Sequence, residues 1–132
     1  MVQIKKEILS EMIDHARDEQ PDECCGILAG DGRLISAIYR VESEEKGPRT
    51  FFMIPERQHE AMIDIEKRGL EMMGIYHSHP LARPYPSRRD MEMAFYPECL
   101  YFIVSVREGR EPEVGVFAMQ DGVVREESCP VV

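Results

Sequence analysis

The stretch Tyr76–Met91, YHSHPLARPYPSRRDM, governs how the rest of this chain is read. It holds two of the four histidines and three of the nine prolines. His77 and His79 sit at the end of an apolar run, Leu70–His77, that reads as a strand. Side chains two apart on a strand point to the same side. Both imidazoles can therefore converge on one ion while Ser78 points away. Two imidazole nitrogens with a carboxylate oxygen suit zinc, and three protein ligands with one open position mark a catalytic zinc site. Asp90 is the third ligand if the intervening loop folds back. Pro80, Pro84 and Pro86 stiffen that loop and lower the entropy cost of fixing the carboxylate. The same residues admit a second reading. Ser87-x-x-Asp90 has the form of a helix capping box, and paired histidines are common on exposed strands. Each half alone favours that plainer reading; the fixed spacing of the two together favours the metal.

Working outward, residues 3–19 predict an amphipathic helix, with Ile4, Ile8, Leu9, Met12, Ile13 and Ala16 at helical spacing and Pro21 beyond it. His15, beside Asp14 and Asp18, is expected on the polar surface of that helix. Gly30-Asp31-Gly32 predicts a tight turn between strands at 24–30 and 33–41. Thr50–Met53 reads as a short strand. Pro55 opens a helix over 56–68 that Gly69 stops. The proline loop leads to a third helix, Ser87–Phe95. CLYFIVSV, from Cys99, is a nearly unbroken apolar strand of the sheet interior. A last hairpin, 113–119 and 123–128, turns on Asp121-Gly122. The expected order is α-β-β-β-α-β-α-β-β-β, a mixed sheet with helices packed on it.

The chain's 132 residues suit one domain, 1–132, with one core. Apolar residues make up 43% of the chain, enough for a packed interior. The net charge of −9 argues against nucleic acid or an anionic membrane as partner. No segment approaches the roughly 20 apolar residues of a membrane span, and the first residues lack the form of a signal peptide. A soluble cytoplasmic protein is expected. Cys24, Cys25, Cys99 and Cys129 form no C-x-x-C pair, so reduced and mostly buried thiols are expected. His59-Glu60 begins an H-E-x-x-H pattern, but residue 63 is Ile and the second ligand is missing.

HSHPLARPYPSRRD resembles the signature of the JAMM (MPN+) metalloproteases: H-[ST]-H-P, a fixed spacer, then S-x-x-D. PDECCGILAG is similar to that family's early glutamate segment, and FFMIPERQHEAMIDIEKRGLEMMGIYHSHP to the helix and approach strand of its compact prokaryotic members. The resemblance covers residues 4–119. It implies an α+β fold, a mixed, curved sheet flanked by helices and similar to cytidine deaminases. Their H-x-E…P-C-x-x-C pattern is missing, so deaminase activity is not implied.

The resemblance also implies one zinc ion per chain held by His77, His79 and Asp90. Glu23 is implied as the general base and Ser87 as the residue that stabilises the oxyanion of amide hydrolysis. Without it, Glu23 reads as one member of a solvated acidic stretch with Asp18, Glu19 and Asp22. Relatives of this kind cleave peptide or isopeptide bonds after the C-terminal Gly-Gly of ubiquitin-like proteins. The expected partner is therefore a ubiquitin-like sulfur carrier. Its extended tail would add to a sheet edge near Phe51–Ile54, and Arg83, Arg88 and Arg89 would attract an acidic carrier. Two other readings compete: a non-catalytic scaffold, and a DNA-repair-associated relative. The intact motif counts against the first, and the negative charge against the second.

Overall fold

The computed structural model describes residues 1–132. In chain order its elements are β1 (Gln3–Ile4), α1 (Lys6–Asp18), β2 (Cys25–Gly30), β3 (Leu34–Val41), α2 (Pro55–Lys67), β4 (Glu71–His79), α3 (Arg88–Glu92), β5 (Leu100–Ser105), β6 (Glu113–Gln120) and β7 (Val123–Glu126). The strands form one seven-stranded sheet, ordered β1-β3-β2-β4-β5-β6-β7. The β1–β3 and β4–β5 pairs are parallel and the others antiparallel. Register shifts in β2's pairing with both neighbours mark the bulges that bend such sheets. The expected mixed, curved α+β architecture is the one found.

The parity of β4 decides which side of the sheet carries the site. Ile75 joins a core cluster with Ile27, Ile103 and, from α2, Ala61 and Ile65. Tyr76 joins the opposite cluster with Leu28, Phe102 and, from α1, Ile8, Met12 and Ala16. His77 and His79 share the α2 side because they keep step with Ile75. Strand β4 lies at the centre of the sheet, and His77 is 2% exposed. Sheet rigidity thus reaches the imidazoles.

The structure corrects four expectations. Residues 3–4 are a strand and not helix: Ile4 pairs beside Ile35, bridges Val131 and is 1% exposed, so sheet pairing outweighs helical spacing. Thr50–Met53 is not a strand. Only Met53 bridges Ser43, and the Ser43 hydroxyl accepts the Phe52 N–H that a neighbouring strand would otherwise take. The edge expected there for a substrate tail is therefore missing; the sheet's edges are β1 and β7. The third helix is only Arg88–Glu92. His15 is not a surface residue but 5% exposed. It lies three residues after Met12 on the buried stripe, where Nδ1 is 2.7 Å from the Tyr76 hydroxyl. A phenol under a helix needs a polar partner, and Gly26 makes room for it, since a Cβ there would lie 2.2 Å from the Tyr76 ring.

Candidate metal centre

His77, His79 and Asp90 come together. His77 Nε2 and His79 Nε2 are 3.2 Å apart, and each is 3.1 Å from Asp90 Oδ2. The three donor atoms thus form a nearly equilateral triangle. Ligands about 2.0 Å from a tetrahedral zinc are separated by about 3.3 Å, so the set fits that ion. The hydrogen bonds around the triangle support the same conclusion. His79 Nδ1 is 2.9 Å from the Arg83 carbonyl, which can only accept. In the neutral ring that bond leaves the Nε2 lone pair facing the centre, the orientation of a metal-ligating histidine with an outer carbonyl partner. Acceptor atoms this close need a shared cation, proton or metal.

The geometry of Asp90 fits both readings the sequence left open. Its Oδ2 accepts the Ser87 N–H at 2.9 Å, and the Ser87 hydroxyl accepts the Asp90 N–H at 3.1 Å, so the capping box is complete. The same Oδ2 faces both imidazoles. The cap sets the rotamer of the Asp90 carboxylate. Ser87 is exposed, and its own O–H proton is not used in the cap.

The loop between histidine and aspartate is tied down by contacts that are remote in sequence. The buried Ser105 hydroxyl donates to the Ala82 carbonyl at 2.6 Å. Tyr85 packs edge-on against Phe117, with ring centroids 5.3 Å apart. Gly115 lets the loop lie flat on β6, for a Cβ there would be 2.4 Å from the Pro84 carbonyl oxygen. Phe51 stacks on the His77 ring at 4.6 Å, and an apolar cleft bounded by Phe51, Met93, Phe95 and Tyr96 opens onto His77 and Asp90. Apart from Phe51, which the sequence placed near the site as part of a strand edge, these partners did not stand out in the sequence. The unusually small Gly115 within an apolar strand was the only local signal.

Burial and charge shift the site's groups in opposite directions. Burial pulls His77 below its ordinary value, more than the Asp90 carboxylate raises it. Burial also acts downwards on His79, but there the hydrogen bonds to Asp90 and the Arg83 carbonyl prevail and raise it. Burial acts upwards on Asp90, yet hydrogen bonds from both histidines hold it far below the usual carboxylate range. Glu23 lies outside the triangle, 6% exposed, just before β2. Burial pushes its carboxyl up to about 8, against the pull of His79. It is the one buried member of its acidic stretch, a distinction the sequence did not carry. Of the nearby arginines, Arg89 pairs with Glu45 at 2.8 Å and Arg83 stacks on Tyr85. Cys24, Cys25 and Cys99 are free thiols pushed up to about 12 by burial, consistent with an inert structural role.

Comparison with known proteins agrees with this geometry. Residues 5–119 match the family described as prokaryotic homologs of the JAB domain. The CysO-cysteine peptidase of Mycobacterium tuberculosis is 31% identical over 131 residues, covering 98% of this chain and 90% of that protein. The desampylase of Haloferax volcanii is 38% identical over 101 residues, covering 74% of this chain and 73% of that protein. The solution structure of protein DSY2949 from Desulfitobacterium hafniense superposes with a TM-score of 0.90 at 33% identity, covering 100% of this chain and 93% of that one.

Proposed function

The chain belongs to the prokaryotic JAB-domain branch of the JAMM/MPN family, hydrolases of peptide and isopeptide bonds, and from that premise we propose that residues 1–132 form one zinc peptidase domain acting on a ubiquitin-like sulfur carrier. The bond cut is the amide that follows the carrier's C-terminal diglycine. The observation that carries this reading is the triangle of His77 Nε2, His79 Nε2 and Asp90 Oδ2, with Glu23 buried within electrostatic reach of His79 and Asp90. A peptidase and a desampylase among the relatives support the substrate class.

His77, His79 and Asp90 hold the metal. When bound, zinc supplies Lewis acidity and an activated water at neutral pH. Glu23 takes a proton on its carboxylate and returns it to the departing nitrogen. A base works best with a pKa near the operating pH. Burial, opposed by His79, places Glu23 at about 8, and a cation held by the triangle would act in the downward direction. Ser87 donates its free hydroxyl proton to the oxyanion that develops on the scissile carbonyl. Phe51, stacked on His77, shields the ring from water and keeps its orientation. A scaffold without chemistry has no use for three buried acceptors held this closely.

The test is a carrier protein whose Gly-Gly end is linked through an amide to cysteine or to a fluorogenic amine. The purified protein releases the amine, loses the activity on chelation and regains it with about one zinc per chain. Release that continues undiminished after exhaustive chelation refutes the reading.

A further inference from the structure

Ser78, the residue between the two histidines, is wholly buried on the face of β4 away from them. Its hydrogen bonds reach none of the three donor atoms. Instead it grips the backbone of Cys24, the residue after Glu23. The Ser78 N–H donates to the Cys24 carbonyl at 3.1 Å, and the Ser78 hydroxyl accepts the Cys24 N–H at 2.8 Å. Both polar groups of Cys24 are therefore held by one residue, at the point where the regular β2–β4 ladder ends at Cys25 opposite His77. On the other side of Glu23, its own N–H donates to the Gly47 carbonyl at 2.9 Å. The peptide units before and after Glu23 are thus both anchored, which fixes its backbone torsions and leaves only its side chain to move.

We propose that Ser78 is a positioning residue for Glu23: its hydroxyl ties the peptide of the base to the strand that carries the two histidine ligands. This rests on the reading of Glu23 as the base. Since Ser78 lies between His77 and His79, ligands and base are referenced to the same short piece of backbone. A misplacement of about 1 Å can cost a catalytic group roughly 10²-fold. A hydroxyl is needed because the Cys24 N–H is buried and an alanine at 78 offers it no acceptor.

The experiment is a double-mutant cycle on the zinc-loaded protein, using the Gly-Gly fluorogenic amide above. Ser78→Ala is expected to lower kcat about 10- to 100-fold, with KM and zinc stoichiometry unchanged. Ser78→Thr, which keeps the hydroxyl, restores most of the rate. In the Glu23→Gln background, Ser78→Ala lowers kcat less than about 3-fold, because the group it positions is already disabled. Should the alanine variant not fold, Ser78→Cys in reducing buffer keeps the shape with a weaker acceptor, and the same pattern is expected. Equal fold-losses in both backgrounds, loss of zinc from the Ser78→Ala protein, or an undiminished rate each overturn the proposal while leaving Glu23 as base intact. A Glu23→Gln protein that turns over at the parental rate overturns both, as does a zinc-loaded parent protein with no turnover.

Discussion

Replacing Asp90 separates its two jobs. Oδ2 accepts one backbone N–H, from Ser87 at 2.9 Å, and faces His77 and His79 Nε2 at 3.1 Å each. Asp90→Asn keeps an oxygen to accept the Ser87 N–H but removes the negative charge. Asp90→Ala removes both cap and ligand. Structural zinc sites with four ligands bind with about 10–16 kcal/mol, or roughly 3–4 kcal/mol per ligand. Losing one of three protein ligands should then weaken zinc binding by about 10²- to 10³-fold. The cap contributes about 1 kcal/mol. In the zinc-free state Asp90→Ala should therefore be less stable than Asp90→Asn by about that amount, while both lose zinc affinity to a similar degree. Competition with a chelator of known affinity measures the first effect, and denaturant unfolding of the zinc-free proteins measures the second. If either variant binds zinc within about threefold of the parent protein, Asp90 is a capping residue only and the triangle is not a metal site.

Glu23→Gln keeps the shape of the side chain but cannot accept the proton, so turnover should drop by about 10²- to 10⁴-fold with zinc content intact. Glu19→Gln, from the same acidic stretch, should match the parent protein in the same assay. Gly115→Ala drives a methyl to 2.4 Å from the Pro84 carbonyl. The shifted loop should cost about 1–3 kcal/mol in denaturant unfolding and weaken zinc binding by chelator competition, although residue 115 touches no ligand. His15 gives a pH dependence. Burial beneath α1, reinforced by Arg40, lowers it from 6.5 to about 4. Below pH 6.5 the unfolded chain takes up a proton that the folded chain refuses. Stability present above pH 6.5 is therefore lost as pH falls towards 4, by up to about 3 kcal/mol, and the loss levels off below that. Unfolding free energies from pH 4 to 7 should show this slope in the parent protein and a shallower one in His15→Asn; equal slopes would show that His15 is not the group responsible.

Local chemistry was legible wherever a residue's consequence is local. Asp121 and Gly122 adopt φ of 52° and 76°, as their dipeptide predicts for a hairpin turn. Gly69, at φ 69°, ends α2 where it was expected to. The histidine spacing put both imidazoles on one face of β4, because strand parity needs no partner to operate. Motif resemblance carried the family and pointed to the three side chains that the fold brings together. What the sequence alone determined was thus a set of donors able to meet, and a fold in which such donors are known to meet.

Tertiary structure decided where neighbours remote in the chain compete for the same backbone or the same space. Ile4 left the helix for a place beside Ile35, since a strand partner thirty-one residues away is invisible to helical periodicity. Phe51 and Phe52 lost their strand because the Ser43 hydroxyl takes the Phe52 N–H, freeing Phe51 to cover His77. His15 went inside because Tyr76, sixty-one positions along, needed a partner there. Glu23 differs from Glu19 and Asp22 through burial, and burial is a property of the packed molecule rather than of the residue. Asp90 reaches the histidines because Ser105, Gly115 and Phe117 hold the proline loop against the sheet. The sequence names the candidate donors; bringing them to 3.1–3.2 Å of one another takes the sheet, the cap and the tethered loop acting together.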